Sequence, residues 1–294
     1  MKRVLVTGAS GFIGKHTLPH LTDAGYEVHS VSSRDADLLD ERERRNLLAR
    51  VRPTHLLHLA WYVPPGKYWT SLENIRWLQA SLDLISEFAA QGGKRLVTAG
   101  TCAEYSWEGP GICREDTTSL APASLYGASK DALRRMQESL ARQLNLSAAW
   151  GRIFFPYGPG EPSERLVPSV IRNVLSGQRA QCSHGRQIRD FIYVDDVARA
   201  FTLLLDSSYI GAVNIGTGDP VTIAEVARSA ARAAGGLELL ELGALPARAG
   251  EPDVLLADTT LLRSIGFTPS WTLDHAMDAT VAWWRGHLRK EIMP

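Results

Sequence analysis

Tyr126 and Lys130 lie four residues apart in Tyr126-Gly127-Ala128-Ser129-Lys130, a spacing that stacks two side chains one turn apart on one face of a helix. A phenol ordinarily titrates at about 10 and exchanges protons poorly at neutral pH. An ammonium beside it favours the phenolate and lowers that value. A move of ~2–3 units corresponds to roughly 3–4 kcal/mol. A pair tuned in this way hands a proton to a carbinol oxygen or takes one from it. A second telling cluster opens the chain, in Thr7-Gly8-Ala9-Ser10-Gly11-Phe12-Ile13-Gly14. Glycine lets the backbone turn tightly and lets a pyrophosphate approach with no Cβ in the way. Between the β-branched run at 4–7 and the helical pattern at 16–24, these glycines predict a strand, a phosphate-cradling turn and a helix N-terminus. Their spacing is Gly-x-x-Gly-x-x-Gly, one residue longer in the first gap than the usual dinucleotide fingerprint.

The elements that must position these residues alternate in type. Segments 4–7, 27–32, 55–58, 95–99 and 148–154 read as strands with helical stretches between them, the α/β pattern of a doubly wound parallel sheet. Past Pro156 the density of Pro and Gly rises (Pro156, Pro159, Gly160, Pro162, Pro168), which marks departure from that sheet. The Ala/Arg-rich stretch 224–234 reads as an amphipathic surface helix. A chain of 294 residues with 45% hydrophobic content buries a sizeable core. Its 32 basic and 32 acidic residues give no electrostatic reason to expect a nucleic-acid or membrane partner. No run approaches the ~18 apolar residues of a membrane span, and no signal-peptide pattern precedes the first strand. Cys102, Cys113 and Cys182 form neither a disulfide framework nor a zinc spacing, so no metal is expected and the cytoplasm is the expected compartment.

The glycine turn and the Tyr-x-x-x-Lys pair together resemble the extended branch of the short-chain dehydrogenase/reductase superfamily, the epimerase/dehydratase enzymes of nucleotide-diphosphate sugars. Further segments carry the likeness over nearly the whole chain. His58-Leu59-Ala60 resembles the end of the family's fourth strand, and residues 97–105 its strand and loop with the catalytic hydroxyl four residues before a tyrosine, here Thr101 before Tyr105. Residues 152–159 resemble its Tyr-Gly-Pro turn; Arg189-Asp190-Phe191 and Asn214-Ile215-Gly216-Thr217-Gly218 are two further signatures in order. The resemblance implies a Rossmann domain over 1–155, to which 189–216 crosses back. A smaller substrate lobe is implied over 156–188 and 217–294. It also implies a homodimer built through a four-helix bundle, from the helix bearing Tyr126 and one near 70–91.

The implied cofactor site comprises Gly8, Ser10, Gly11, Phe12, Ile13, Gly14, Leu59, Ala60, Phe154 and Phe155, with Tyr126 and Lys130 at the nicotinamide ribose. At the end of the second strand an acidic residue would bind a ribose 2′-hydroxyl. Here Ser32-Ser33-Arg34 offers hydroxyls and a guanidinium, which suit a 2′-phosphate. Asp37 and Leu38 match the family's adenine-contacting pair at a third strand. NADP(H) is the expected cofactor and NAD(H) the alternative.

Thr101, Tyr126 and Lys130 are the implied catalytic residues, with Thr101 and Tyr126 touching the sugar. Leu166 and Val167 fall in the nucleotide-base pocket, and Arg189 and Arg248 on the diphosphate. The family's dehydratases follow their threonine with an Asp-Glu pair; this chain has Cys102-Ala103. Its fucose-forming epimerase-reductases use a cysteine and a histidine at positions held here by Ala103 and Arg165. The expected reaction is therefore NADPH-dependent reduction of the C4 carbonyl of a nucleotide-diphosphate 4-keto-6-deoxyhexose, with an NAD-dependent 4-epimerase as the alternative. A cofactor-sensing regulator is a third reading, which the intact Thr101, Tyr126 and Lys130 disfavour.

Overall fold

Val4, Leu5 and Val6 are each completely buried, which a strand manages only when both faces of its sheet are covered. The computed structural model describes residues 2–109, 111–247 and 250–292. Its central sheet holds β1 (Arg3–Thr7), β2 (Glu27–Val31), β3 (His55–His58), β4 (Arg95–Thr101), β5 (Ser147–Ile153) and β6 (Gly211–Ile215). All pairings are parallel, in the order β6-β5-β4-β3-β1-β2. The helices among the described residues are α1 (Phe12–Asp23), α2 (Glu41–Val51), α3 (Glu73–Ala90), α4 (Leu125–Leu144), α5 (Leu166–Leu175), α6 (Val194–Asp206), α7 (Ile223–Ala234), α8 (Thr260–Ser264) and α9 (Leu273–Ile292).

Alternation along β1 sends Val4 and Val6 to one face and Leu5 to the other. On the first face they meet Leu21 of α1 and Phe201 and Leu204 of α6. On the second, Leu5 meets Leu47 and Leu48 of α2, Leu84 and Phe88 of α3 and Leu133 of α4. The result is a doubly wound Rossmann sheet. Its strand order reverses beside β1, and ligands of such sheets bind at the strand C-termini around that point.

Two sequence expectations need correction. No strand forms at Asp37-Leu38, so His58 ends the third strand of the chain and not a fourth. The carboxylates there make local turns that compete with a sheet ladder. Asp37 Oδ1 accepts from the Leu39 amide at 2.9 Å, and Asp40 caps α2 by accepting from the Glu43 amide at 2.9 Å. The helix expected near 70–91 is shorter, since residues 62–72 form an irregular loop instead. The stretch 224–234 lies in α7 and is amphipathic as expected, with Glu225, Arg228 and Arg232 exposed on its outer face. On its inner face Val226, Ala227, Ala230, Ala231 and Ala234 are buried in a second core with Val170 and Ile171 of α5 and Met277 and Val281 of α9. Alanines at helical spacing give a smooth face on which two neighbouring helices pack closely.

Short strands connect this second core to the sheet. Phe155–Tyr157 pairs with Phe191–Tyr193. Val254–Ala257 lies between Ile188–Arg189 and Ile112–Cys113. No described helix is long and apolar enough to cross a membrane.

Candidate active site

The glycine turn runs from the end of β1 into α1. Gly8 has φ +71°, and a Cβ there would lie 2.8 Å from the Ala60 nitrogen at the end of β3; one at Gly14 would lie 2.3 Å from the Gly8 carbonyl oxygen. The turn therefore packs directly on Leu59 and Ala60. Gly11 is the N-cap of α1 and supplies no capping side chain, so the first-turn amides of α1 face the crevice as an anion-binding end. Phe12 and Ile13 open that helix. This turn, packed too tightly for any Cβ and ending in the open amides of α1, fits a dinucleotide pyrophosphate.

The catalytic candidates converge two strands away. Gly127 brings the first turn of α4 onto the turn after β4, for a Cβ there would sit 2.3 Å from the Ala103 carbonyl oxygen. Ser124 caps α4 by accepting from the Gly127 amide at 3.1 Å. That contact sets Tyr126 beside Thr101, whose side chain favours the phenolate. One turn on, Lys130 Nζ donates to the Ala99 carbonyl at 2.9 Å and lies 3.9 Å from the centre of the Trp61 ring.

Aromatic side chains cover the pair. Tyr68 packs edge-on against Tyr126 at 4.9 Å and Trp69 at 5.8 Å, with Trp107 6.1 Å from Trp69. Asn74 holds this loop, accepting from the Trp61 indole at 2.8 Å and donating to the Tyr68 and Ser71 carbonyls. The Tyr126 amide donates to the Trp69 carbonyl at 3.1 Å.

Burial of both groups corrects the expected phenolate–ammonium pair. Desolvation raises the Tyr126 phenol above its ordinary value, reinforced by Tyr68 and only partly offset by the Thr101 side chain. Desolvation also lowers Lys130 to about 7, opposed by Glu104. A lysine that sheds its proton near neutrality is no standing cation for a phenolate in this closed arrangement. Beneath them His58 is drawn down to about 3 by burial and then by Lys130. It stays neutral between Thr7 Oγ1 at 2.7 Å and Ser81 Oγ at 2.9 Å. Cys102 is buried, and desolvation lifts its thiol far above the ordinary range.

At the β2 edge, Ser32 gives its amide and its hydroxyl to the Asp35 carboxylate, at 2.8 and 2.6 Å. Those bonds hold Asp35 below the usual carboxylate range. An anion therefore sits among the residues expected to take a 2′-phosphate, while Ser33 and Arg34 point to solvent. Asp37 is exposed and Leu38 is buried in the sheet core. Phe154 is buried and Phe155 half-buried, the latter 5.8 Å from Phe191.

The substrate candidates are more dispersed. Leu166 is half-buried, whereas Val167, 1% exposed, points into the second core and leaves only its backbone for a ligand. Arg189 is buried, donating to the Ile188 carbonyl at 2.9 Å and standing 3.5 Å from Glu251. Arg248 lies outside the described residues. Asp190, in the same signature as Arg189, is a clamp: its carboxylate accepts from the Thr217 amide and hydroxyl and the Gly218 and Ala257 amides.

Sequence reasoning missed Glu104, Trp150 and Arg152, a buried polar cluster directly behind Thr101. A glutamate inside a segment read for catalysis, and an arginine in an otherwise apolar strand, were the available signals. Among the described residues no group of three or more His, Cys, Asp or Glu side chains is arranged to hold a metal ion.

A parallel Rossmann sheet with a glycine cradle at β1 and a Thr-Tyr-Lys cluster at β4 and α4 defines an extended short-chain dehydrogenase/reductase. The sequence profile of the NAD dependent epimerase/dehydratase family matches residues 4–216, and the chain belongs to that family. CDP-abequose synthase of Salmonella typhimurium is 27% identical, over 91% of this chain and 93% of that protein. UDP-glucose 4-epimerase of Streptomyces lividans is 28% identical, over 91% and 92%. The crystal structure of Thermus thermophilus UDP-glucose 4-epimerase in complex with NAD superposes with a TM-score of 0.84 at 28% identity, over 97% of this chain and 99% of that one.

Proposed function

We propose that the chain is a nucleotide-diphosphate-sugar oxidoreductase acting at the sugar C4 carbinol, and that its reaction is 4-epimerisation with NAD(H). The observation that carries this is the convergence of Thr101 at the end of β4 with Tyr126 and Lys130 in the first turns of α4, on the strand ends beside the glycine cradle. When bound, the nicotinamide supplies the hydride acceptor and donor. Tyr126 is a neutral phenol in the closed arrangement. Only once bound cofactor supplies positive charge beside it would it take the proton from the C4 hydroxyl and return it, and Thr101 donates to the same oxygen as its charge changes. Lys130 reaches the ribose side of the site. Cys102, its thiol lifted far above the ordinary range, and Ala103 supply no group to remove a C5 proton, which disfavours dehydration.

This reverses the order in which the sequence places the two readings. Similarity to UDP-glucose 4-epimerases over nearly the whole chain supports it, as does the Asp35 anion beside Ser32, which would repel a 2′-phosphate. NADPH-dependent reduction of a 4-keto-6-deoxyhexose is the second reading, supported by Ser33 and the solvent-facing Arg34 at the same strand end. In either reading Arg189 takes the diphosphate by exchanging Glu251 for phosphate oxygens, and Leu166 lies at the base. Exposed Ile75 on α3 and Met136 and Leu144 on α4 support pairing of two copies through these helices.

Cofactor analysis of the purified protein, followed by incubation with a panel of nucleotide hexoses, separates the readings. Retained NAD and interconversion of C4 epimers are expected. NADPH selectivity, with turnover of 4-keto sugars only, would install the reductase instead.

A further inference from the structure

The ring of groups behind Thr101 goes beyond the Thr-Tyr-Lys cluster. Glu104 is wholly buried, and so is its partner Arg152, 1% exposed, with Arg152 Nε donating to Glu104 Oε2 at 2.8 Å. The Trp150 indole donates to Oε1 at 2.9 Å. The Thr101 backbone amide donates to the same oxygen at 2.8 Å, and the Thr101 hydroxyl accepts from the Ala103 amide at 3.2 Å. Arg152 also donates to the Tyr105 hydroxyl at 3.0 Å, and that hydroxyl donates to Asn214 Oδ1 at 2.7 Å. The network thus ties the C-terminal ends of β4, β5 and β6 together. Space is reserved for it, because a Cβ at Gly100 would fall 2.0 Å from the Trp150 indole nitrogen and 2.6 Å from Glu104 Oε1.

We propose that Glu104 is a positioning residue of this site: its carboxylate clamps the Thr101 end of β4 and is the anion that acts on Lys130. A buried ion pair adds little net stability once desolvation is counted, so what it supplies here is geometry and field. Around Lys130 stand Tyr126 on its own helix, neutral His58 from β3, the Trp61 ring from the following loop and Glu104 from the turn after β4. Glu104 is the charged member of that set. It opposes the burial that draws Lys130 to about 7, while Arg152 holds it in place. The catalytic consequence rests on the reaction proposed above; the effect on Lys130 does not.

The test is the double variant Glu104→Gln/Arg152→Met, which keeps an acceptor for the Thr101 amide and the indole but removes both charges. Titration of Lys130 is read by NMR of carbon-13-labelled lysine, with the resonance assigned through Lys130→Arg. It should move about one unit to the acid side. The alkaline limb of the pH–rate profile should follow, with kcat at neutral pH down ~10-fold and KM held. A folded double variant whose Lys130 titrates as in the parent overturns the proposal. If the parent turns over no nucleotide sugar, the reaction assignment fails, while the titration still decides the role of Glu104. Should the double variant not fold, Glu104→Asp decides. It keeps the charge but draws the oxygen off the Thr101 amide, so kcat should fall ~10-fold with the lysine titration unchanged; an unchanged kcat overturns the clamp.

Discussion

At the β1 edge the site is made of backbone: the turn at Gly8, the open amides of α1, and a packing distance to Ala60 that tolerates no side chain. At β4, β5 and α4 it is made of side chains buried against their own solvation: Tyr126, Lys130, Glu104 and Arg152, with neutral His58 alongside. The first region offers an anion a backbone turn and helix-end dipoles. The second buries ionisable groups, and Lys130 among them is drawn down to about 7. A cradle of the first kind is stable with or without its ligand. The second kind trades stability for chemistry, as pKa shifts at functional sites commonly do.

Substitutions at the two regions should therefore fail in opposite ways. Lys130→Met should cut turnover by ~10² or more yet raise the melting temperature at neutral pH. The sign follows from linkage. The lysine titrates at about 7 when folded but at about 10.4 when unfolded, so its burial penalises the folded state fully below pH 7 and fades as pH approaches the unfolded value. A melting temperature that drops in Lys130→Met would break the contrast. Gly8→Ala should do the reverse, losing about 1–3 kcal/mol of stability from the left-handed backbone and the contact with Ala60. Its cofactor affinity should fall with it; calorimetry and cofactor titration check both.

His58 gives a smaller effect that sharpens the same comparison. Its folded value is depressed to about 3, so the stability it carries is present above about pH 6.5 and is lost as pH falls toward 3, by up to ~1.4 kcal/mol per unit. His58→Gln should flatten the acid side of a stability–pH curve measured by chemical denaturation. An unchanged slope between pH 6 and 4 (roughly the window set by those two values) would mean that His58 is not the group being forced to charge.

The cradle was legible in the sequence because backbone demands show as residue type: only glycine suits Gly8 and Gly14, and their spacing is the signal. Tyr126 and Lys130 were legible as a pair for the same reason, one helical turn being a fixed distance. Their protonation was not, because it depends on how completely Trp61, Tyr68 and Trp69 exclude water, and a loop of residues 62–72 has no period to read. Asp37-Leu38 misled because its carboxylates serve turns and a cap. The stretch 224–234 was legible as an amphipathic helix, but not which helices would close on its alanine face. Glu104 and Arg152 were each visible, but their pairing across β4 and β5 is a register that single residues do not announce.

The most direct measurement is made on the NAD-loaded protein after adding a nucleotide hexose, recording the absorbance of reduced nicotinamide in the parent and in Tyr126→Phe. A transient rise in the parent, at least ~10²-fold slower in the variant with equal NAD content, is the expected result. Equal rates in the two proteins would remove Tyr126 from the chemistry, and no reduction in the parent with any nucleotide hexose would remove the hydride reaction itself.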